Sequence, residues 1–230
     1  VSGLFVGNDV VDLLDPRTRG KHEDRRFVDR VLSPTERALL VAAPDPRLEL
    51  WSLWAAKEAA YKVVSKVSGA PPVFAHAAFA VSWAGDASVP RTGTVHFGGF
   101  VVPVSVSTPG AWVHATAVSG PEAVAPAWAV AQVAQAATGA LLASLSAAEA
   151  NAVHSSSSAA VRLGARRALA RLLSVEERRL EIVCDPGVTG RRPPRVLQDG
   201  RPAHADVSLS HHGRWLAWAV LRLSVPWGDS

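Results

Sequence analysis

The strongest constraint on this chain is that it repeats itself. Val104-Ser105-Val106-Ser107-Thr108-Pro109-Gly110-Ala111-Trp112 aligns without a gap with Val207-Ser208-Leu209-Ser210-His211-His212-Gly213-Arg214-Trp215. Leu32-Ser33-Pro34-Thr35-Glu36 aligns with Leu145-Ser146-Ala147-Ala148-Glu149, and Ala55 to Lys62 with Gly164 to Arg171. Each half reads as a capped helix, an amphipathic helix and a β-hairpin region. The expected fold is therefore α+β, with two similar lobes about a pseudo-two-fold axis, each a small antiparallel sheet packed with helices. The expected division is a lobe over residues 1–118, a Pro/Ala-rich linker over 119–140 with helical potential, and a lobe over 141–230.

Local signals place the elements. Residues 3–13 are β-prone but interrupted by Asp9 and Asp12, which a purely structural strand would avoid. Ser33-Pro34-Thr35-Glu36 is a capping box with proline at the first helical position, predicting a helix over 34–42 that ends at Pro44 and Pro46. A second helix runs from Trp51 to about Val67. Residues 74–83, 93–97, 99–107 and 111–118 read as strands between glycine and proline turns. Ser146 and Glu149 repeat the capping box, residues 161–173 form an amphipathic helix, 180–184 a strand, and 207–210 with 215–223 a hairpin.

Differences between the halves carry the functional signal. Asp9 and Glu58 occur only in the first half; Arg167 stands opposite Glu58. His211 and Arg162 occur only in the second, with Thr108 and Leu53 opposite. Neither half has a full set of charged groups, so one composite site between the lobes is the economical expectation. Glu58 and Lys62, one turn apart, would alone be an ordinary surface pair worth about 0.3–0.5 kcal/mol.

Taken with the rest, they fit a phosphate chemistry. Hard divalent cations favour a few carboxylate oxygens, with water and phosphate completing the shell. Asp9 and Glu58 supply that minimal set. Lys62 is placed to neutralise a transferring phosphoryl group, and Arg162, Arg201 and His211 add positive or donor groups for further phosphates.

At these residues the chain resembles the 4′-phosphopantetheinyl transferases. Gly7-Asn8-Asp9-Val10-Val11-Asp12 and Trp54-Ala55-Ala56-Lys57-Glu58-Ala59-Ala60-Tyr61-Lys62 are similar to two signature motifs of that family. Ser208-Leu209-Ser210-His211-His212-Gly213-Arg214-Trp215 resembles its third motif, Gly200-Arg201-Pro202 its Gly-Lys-Pro turn, and the helix of Arg162 its coenzyme A-binding arginine helix. The motif order is that of the small holo-acyl-carrier-protein synthases, and looks like a circular permutation of the larger pseudo-dimeric members, the type that activates peptide and polyketide synthases. Those members carry an acid two positions after the Asp, where this chain has Val11; Asp12, three positions on, matches the small synthases.

The resemblance implies a Mg²⁺ site, with Mn²⁺ as the other candidate, on Asp9 and Glu58, and coenzyme A in the cleft between lobes. It implies that a carrier-protein serine is deprotonated by Glu58 or a metal-associated water and attacks the β-phosphorus. Lys62 would stabilise the transition state and the departing 3′,5′-ADP. Arg162, Arg201 and His211 would hold the 3′-phosphate and pyrophosphate, and Ser210 would donate to the 3′-phosphate. Acyl or peptidyl carrier proteins are the implied partners. The alternatives are a non-catalytic module holding coenzyme A or a carrier protein, and an arginine-rich nucleic-acid binder.

Composition narrows these options. With 48% hydrophobic and 19% charged residues the chain can bury a real core, and its net charge of +4 suits phosphate ligands or acidic surfaces. It has no zinc-finger spacing or glycine-aromatic RNA signature, so no nucleic-acid partner is expected. No apolar run is long enough for a membrane span, the N-terminal residues do not read as a signal peptide, and one cysteine, Cys184, permits no intrachain disulfide. A cytoplasmic monomer with an inert, buried Cys184 is expected. Adjacent His211 and His212 point to opposite faces of a strand and do not make a zinc site.

Overall fold

The computed structural model describes residues 3–69, 71–85, 90–120, 124–133, 138–153, 155–187 and 190–224. The first lobe holds β1 (Val6–Asp12), α1 (Arg25–Val31), α2 (Pro34–Ala42), α3 (Pro46–Val67), β2 (Ala80–Trp83), β3 (Arg91–Phe97), β4 (Phe100–Ser107) and β5 (Trp112–Val118). The second holds β6 (Ala127–Gln132), α4 (Thr138–Ala143), α5 (Ala147–Ala150), α6 (Ser156–Leu173), β7 (Leu180–Val183), β8 (Pro186–Gly187), β9 (Gly190–Arg191), β10 (Arg195–Gln198), β11 (Arg201–Pro202), β12 (Ala205–His212) and β13 (Trp215–Arg222). The fold is α+β. The first sheet runs β1-β5-β4-β3-β2; the second lobe repeats that order in two pieces, β6-β13-β12 and β11-β10-β7.

The repeat reaches individual hydrogen bonds. Glu36 closes the capping box of α2 on Ser33, takes Val81 N–H at 2.8 Å and receives Lys57 Nζ at 2.6 Å. Glu149 closes the box of α5 on Ser146, takes Ile182 N–H at 3.0 Å and receives Arg166 at 2.7 Å. Lys57 also donates to Val31 O and Arg166 to Ser144 O, each two residues before its capping serine. Both glutamates are fully buried, and each joins a helix start, the long helix and a sheet, so the same three-way junction fixes both lobes.

Three sequence expectations differ from the structure. The long helix starts at Pro46 because Asp45 caps it, accepting Leu48 N–H at 3.0 Å; Pro46 opens this helix as well as following the previous one. Residues 74–79 are loop and a short 3₁₀ turn, so the strand begins only at Ala80. Within the expected linker, residues 127–132 form β6, paired antiparallel to β13 from Trp215↔Gln132 to Val220↔Ala127. Its three alanines carry no local strand signal. The rest of the expected linker lies partly outside the described residues, at 121–123 and 134–137.

Separate cores fill the two lobes, one under α3 and one under α6, while Val6, Ala219 and Leu221 form a small apolar cluster between them. The principal lobe contact is β1 against β12. The outward N–H groups of β1 would be unpaired at a sheet edge. Alternate side chains of β12 take them instead. Val6 N–H goes to Asp206 Oδ2 (2.7 Å), Asn8 N–H to Ser208 Oγ (2.9 Å), Val10 N–H to Ser210 Oγ (3.0 Å) and Asp12 N–H to His212 Nδ1 (3.0 Å). Among the described residues no helix is long and apolar enough to cross a membrane.

Candidate active site at the lobe interface

The site begins with a close approach. A Cβ on Gly7 would lie 2.0 Å from Ala59 O, so only glycine lets α3 lie this close on β1. That contact sets Glu58 and Lys62 beside Asp9. Lys62 Nζ donates to Asn8 O (2.6 Å), to Asp9 Oδ1 (3.2 Å) and to Leu209 O (3.4 Å), thereby spanning β1 and β12. One turn on, buried Lys66 bridges the same strands through Val6 O and Val207 O and pairs with Asp206 at 2.8 Å.

Asp9 is the electrostatic centre. Burial raises its pKa to about 6; Glu58 pushes the same way, while the Lys62 charge and the Ser210 hydrogen bond oppose. Ser210 Oγ donates to Asp9 Oδ1 at 2.9 Å while accepting Val10 N–H. Its hydroxyl proton is thus spent on the carboxylate, and its oxygen accepts at the lobe seam. Among the described residues Glu58 forms no ion pair with Lys62; its neighbour is His76, whose Nε2 lies 3.5 Å from Oε1.

Lys62, Lys66, Arg162, Cys184, Arg192 and His211 share one cleft of about 440 Å³ between the lobes. Arg162 is 5% exposed and donates to Ser158 O and Oγ and to Cys184 Sγ, while its Nε has no partner. His211 is held below the ordinary imidazole range by burial and by the nearby Lys62, His212 and Arg162. Cys184 is half-buried on the cleft wall, in contrast to the inert buried position expected from sequence.

The structure therefore brings together Asp9, Glu58, Lys62, Ser210, His211 and Arg162. Arg201 sits apart: it is exposed on β11, opposite Gln198, and does not line the cleft. Arg192 does. Sequence reading missed it, although Gly190-Arg191-Arg192-Pro193 carries the same glycine-basic-proline signal as Gly200-Arg201-Pro202. No motif in the sequence singles out His76. Asp12 is a structural group, accepting Leu14 N–H and Arg214 N–H, and His212 serves the seam through Asp12 N–H. Gly213, at φ +55°, is needed there, since a Cβ would meet Asp12 Oδ2 at 2.5 Å.

The second lobe lacks the counterpart of this site. With Trp112 and Trp215 equivalent, Ala129 of β6 occupies the register position of Asp9, and Arg167 that of Glu58. No group of three or more His, Cys, Asp or Glu side chains suited to a metal occurs among the described residues. Two carboxylates with open oxygens fit a hard cation that keeps water and phosphate in its shell.

No curated protein matches the chain. Similar solved structures include a holo-[acyl-carrier-protein] synthase from Neisseria meningitidis, 22% identical over 51% of this chain and 98% of that one, with a TM-score of 0.40. Another is the Thermotoga maritima holo-[acyl-carrier-protein] synthase, 16% identical over 84% of this chain and 82% of that one, with a TM-score of 0.38. Residues 5–101, the segment that carries Asp9, Glu58, Lys62 and His76, match the family model of the 4′-phosphopantetheinyl transferase superfamily.

Proposed function

We propose that this chain transfers the 4′-phosphopantetheine arm of coenzyme A to a serine of an apo acyl or peptidyl carrier protein. The supporting observation is convergence. Asp9, Lys62 and Ser210, from opposite ends of the sequence, are in direct contact, and Arg162, Arg192 and His211 line the adjoining cleft.

Asp9 and Glu58 would hold Mg²⁺ or Mn²⁺, which supplies charge neutralisation on the pyrophosphate when bound. Lys62, Arg162, Arg192 and His211 bind the phosphates of coenzyme A, with Arg192 taking the place that sequence reading gave to Arg201. Glu58 takes the proton of the carrier serine. The serine oxygen then bonds to the β-phosphorus while the phosphorus–oxygen bond to 3′,5′-ADP breaks. Lys62 steadies charge on the transferring group. Ser210 serves by holding Asp9 rather than by touching phosphate. Since one chain supplies both halves of the site, a monomer suffices. The lobes at 1–118 and 141–230 are the working units, with β6 of the intervening segment belonging to the second.

Incubation with coenzyme A, Mg²⁺ and a panel of apo-carrier proteins tests this reading. A mass gain of one phosphopantetheine arm is expected. Binding of coenzyme A or carrier without any mass gain would replace it with the non-catalytic module.

A further inference from the structure

The geometry points to His76 as the positioning residue of Glu58, an N–H donor that fixes the carboxylate; this rests on the transferase reading above. His76 opens the 3₁₀ turn after α3, and its backbone carbonyl is tied down by the buried Lys57 ammonium at 3.1 Å. Its ring lies against Trp54 at 4.2 Å and Phe74 at 4.0 Å. Backbone and ring are thus both immobilised. Nε2 is buried without a hydrogen bond and faces Glu58 Oε1 at 3.5 Å. A small rotation of Glu58 closes that gap, as is usual for functional contacts that tighten when the site fills. Engaging Oε1 leaves Oε2 for the site. A buried imidazole donor would otherwise stay unpaired, a cost that a purely structural aromatic such as Phe would avoid.

The second lobe supplies an independent observation. Val81 and Ile182 are equivalent through their bonds to Glu36 and Glu149, and His76 and Glu177 each stand five residues earlier, at the first position of a 3₁₀ turn. Glu177 lies 3.7 Å from Arg167, the counterpart of Glu58. The fold therefore pairs this turn with this helix position in both lobes. In the first, the pair is an imidazole and the proposed catalytic carboxylate.

The test compares wild type with His76→Phe, His76→Gln and His76→Asn, reading carrier modification and, separately, Mn²⁺ binding to the protein without coenzyme A. Gln places an N–H near the position of Nε2; Asn and Phe do not. Loss of such an outer contact lowers activity or metal affinity by about 10–100-fold. His76→Phe and His76→Asn should lose kcat and Mn²⁺ affinity by that factor with KM for coenzyme A unchanged, and His76→Gln should recover most of both. Wild-type kcat and Mn²⁺ affinity in His76→Phe would overturn the assignment. If His76→Phe does not fold, equal values for Gln and Asn would overturn it. A wild-type protein that modifies no carrier defeats the transferase reading alone, and Mn²⁺ affinities of the variants then decide the role of His76.

Discussion

Ser210 Oγ and Asp9 Oδ1 are 2.9 Å apart, although 201 residues separate them in the chain. Through this bond the second lobe orients the central carboxylate of the first. Ser208 occupies the same role toward Asn8 N–H without touching a carboxylate, and so is its natural control. Ser210→Ala and Ser208→Ala should each leave a buried N–H unpaired and cost about 1–3 kcal/mol in urea unfolding. Only Ser210→Ala should also weaken Mn²⁺ binding. Equal metal affinity in both would mean that the bond merely seals the seam.

Glu58→Gln should lower transfer by about 10²–10⁴-fold, the range for removing a general base. Glu58 is half-buried, outside both core clusters, and among the described residues accepts no hydrogen bond beyond the 3.5 Å approach of His76, so melting temperature should barely move. Carrier mass spectrometry with a thermal melt reads both. Unchanged turnover would remove Glu58 from the mechanism.

The raised pKa of Asp9 has a definite sign. Between about pH 4 and 6 the folded metal-free protein keeps a proton on Asp9 that the unfolded chain has released, given a folded value of about 6 against 3.8. Stability from this group is full below pH 4 and is lost as pH rises through 6. Asp9→Asn should abolish that slope and stabilise the metal-free protein at pH 7.5 by about 1–3 kcal/mol. Urea curves in chelator at pH 5 and 7.5 check it. Metal must displace the proton, so Mn²⁺ affinity should rise with pH through about 6.

Lys66→Met should be among the most damaging single changes on α3. It strands Asp206 and leaves the Val6 and Val207 carbonyls without their ammonium. Removing one partner of a buried pair costs about 3–5 kcal/mol. Chemical denaturation measures the loss; a cost below 1 kcal/mol would show that water replaces the ammonium.

Gly7→Ala tests the close approach that builds the site. Its Cβ collides with the backbone of Ala59, which a flexible side chain cannot relieve. A loss of about 3 kcal/mol is expected, at the upper end of overpacking effects. Transfer should fall as Lys62 moves off Asp9. A fully active, fully stable variant would show that α3 can shift without cost.

Features written in local chemistry are legible in the amino-acid order alone. Capping boxes at Ser33 and Ser146 set helix starts, glycine and proline turns bounded β3 to β5, and the gapless repeat of Val104–Trp112 in Val207–Trp215 foretold two matching hairpins. Asymmetry between the halves also marked Asp9, Glu58, Arg162 and His211 as one site. Other features depend on contacts across long separations in the chain. Alanine-rich β6 has little local signal and becomes a strand because β13 offers it an edge. Lys62 pairs with Asp9 rather than Glu58 because Gly7 draws α3 against β1. Arg192 lines the cleft and Arg201 does not, though each lies between a glycine and a proline in the sequence. His76 gains its place through the Lys57 anchor and the ring of Trp54, both about twenty residues earlier in the chain. Spacing along a chain fixes which face a side chain shares, but the partner across that face is chosen by packing.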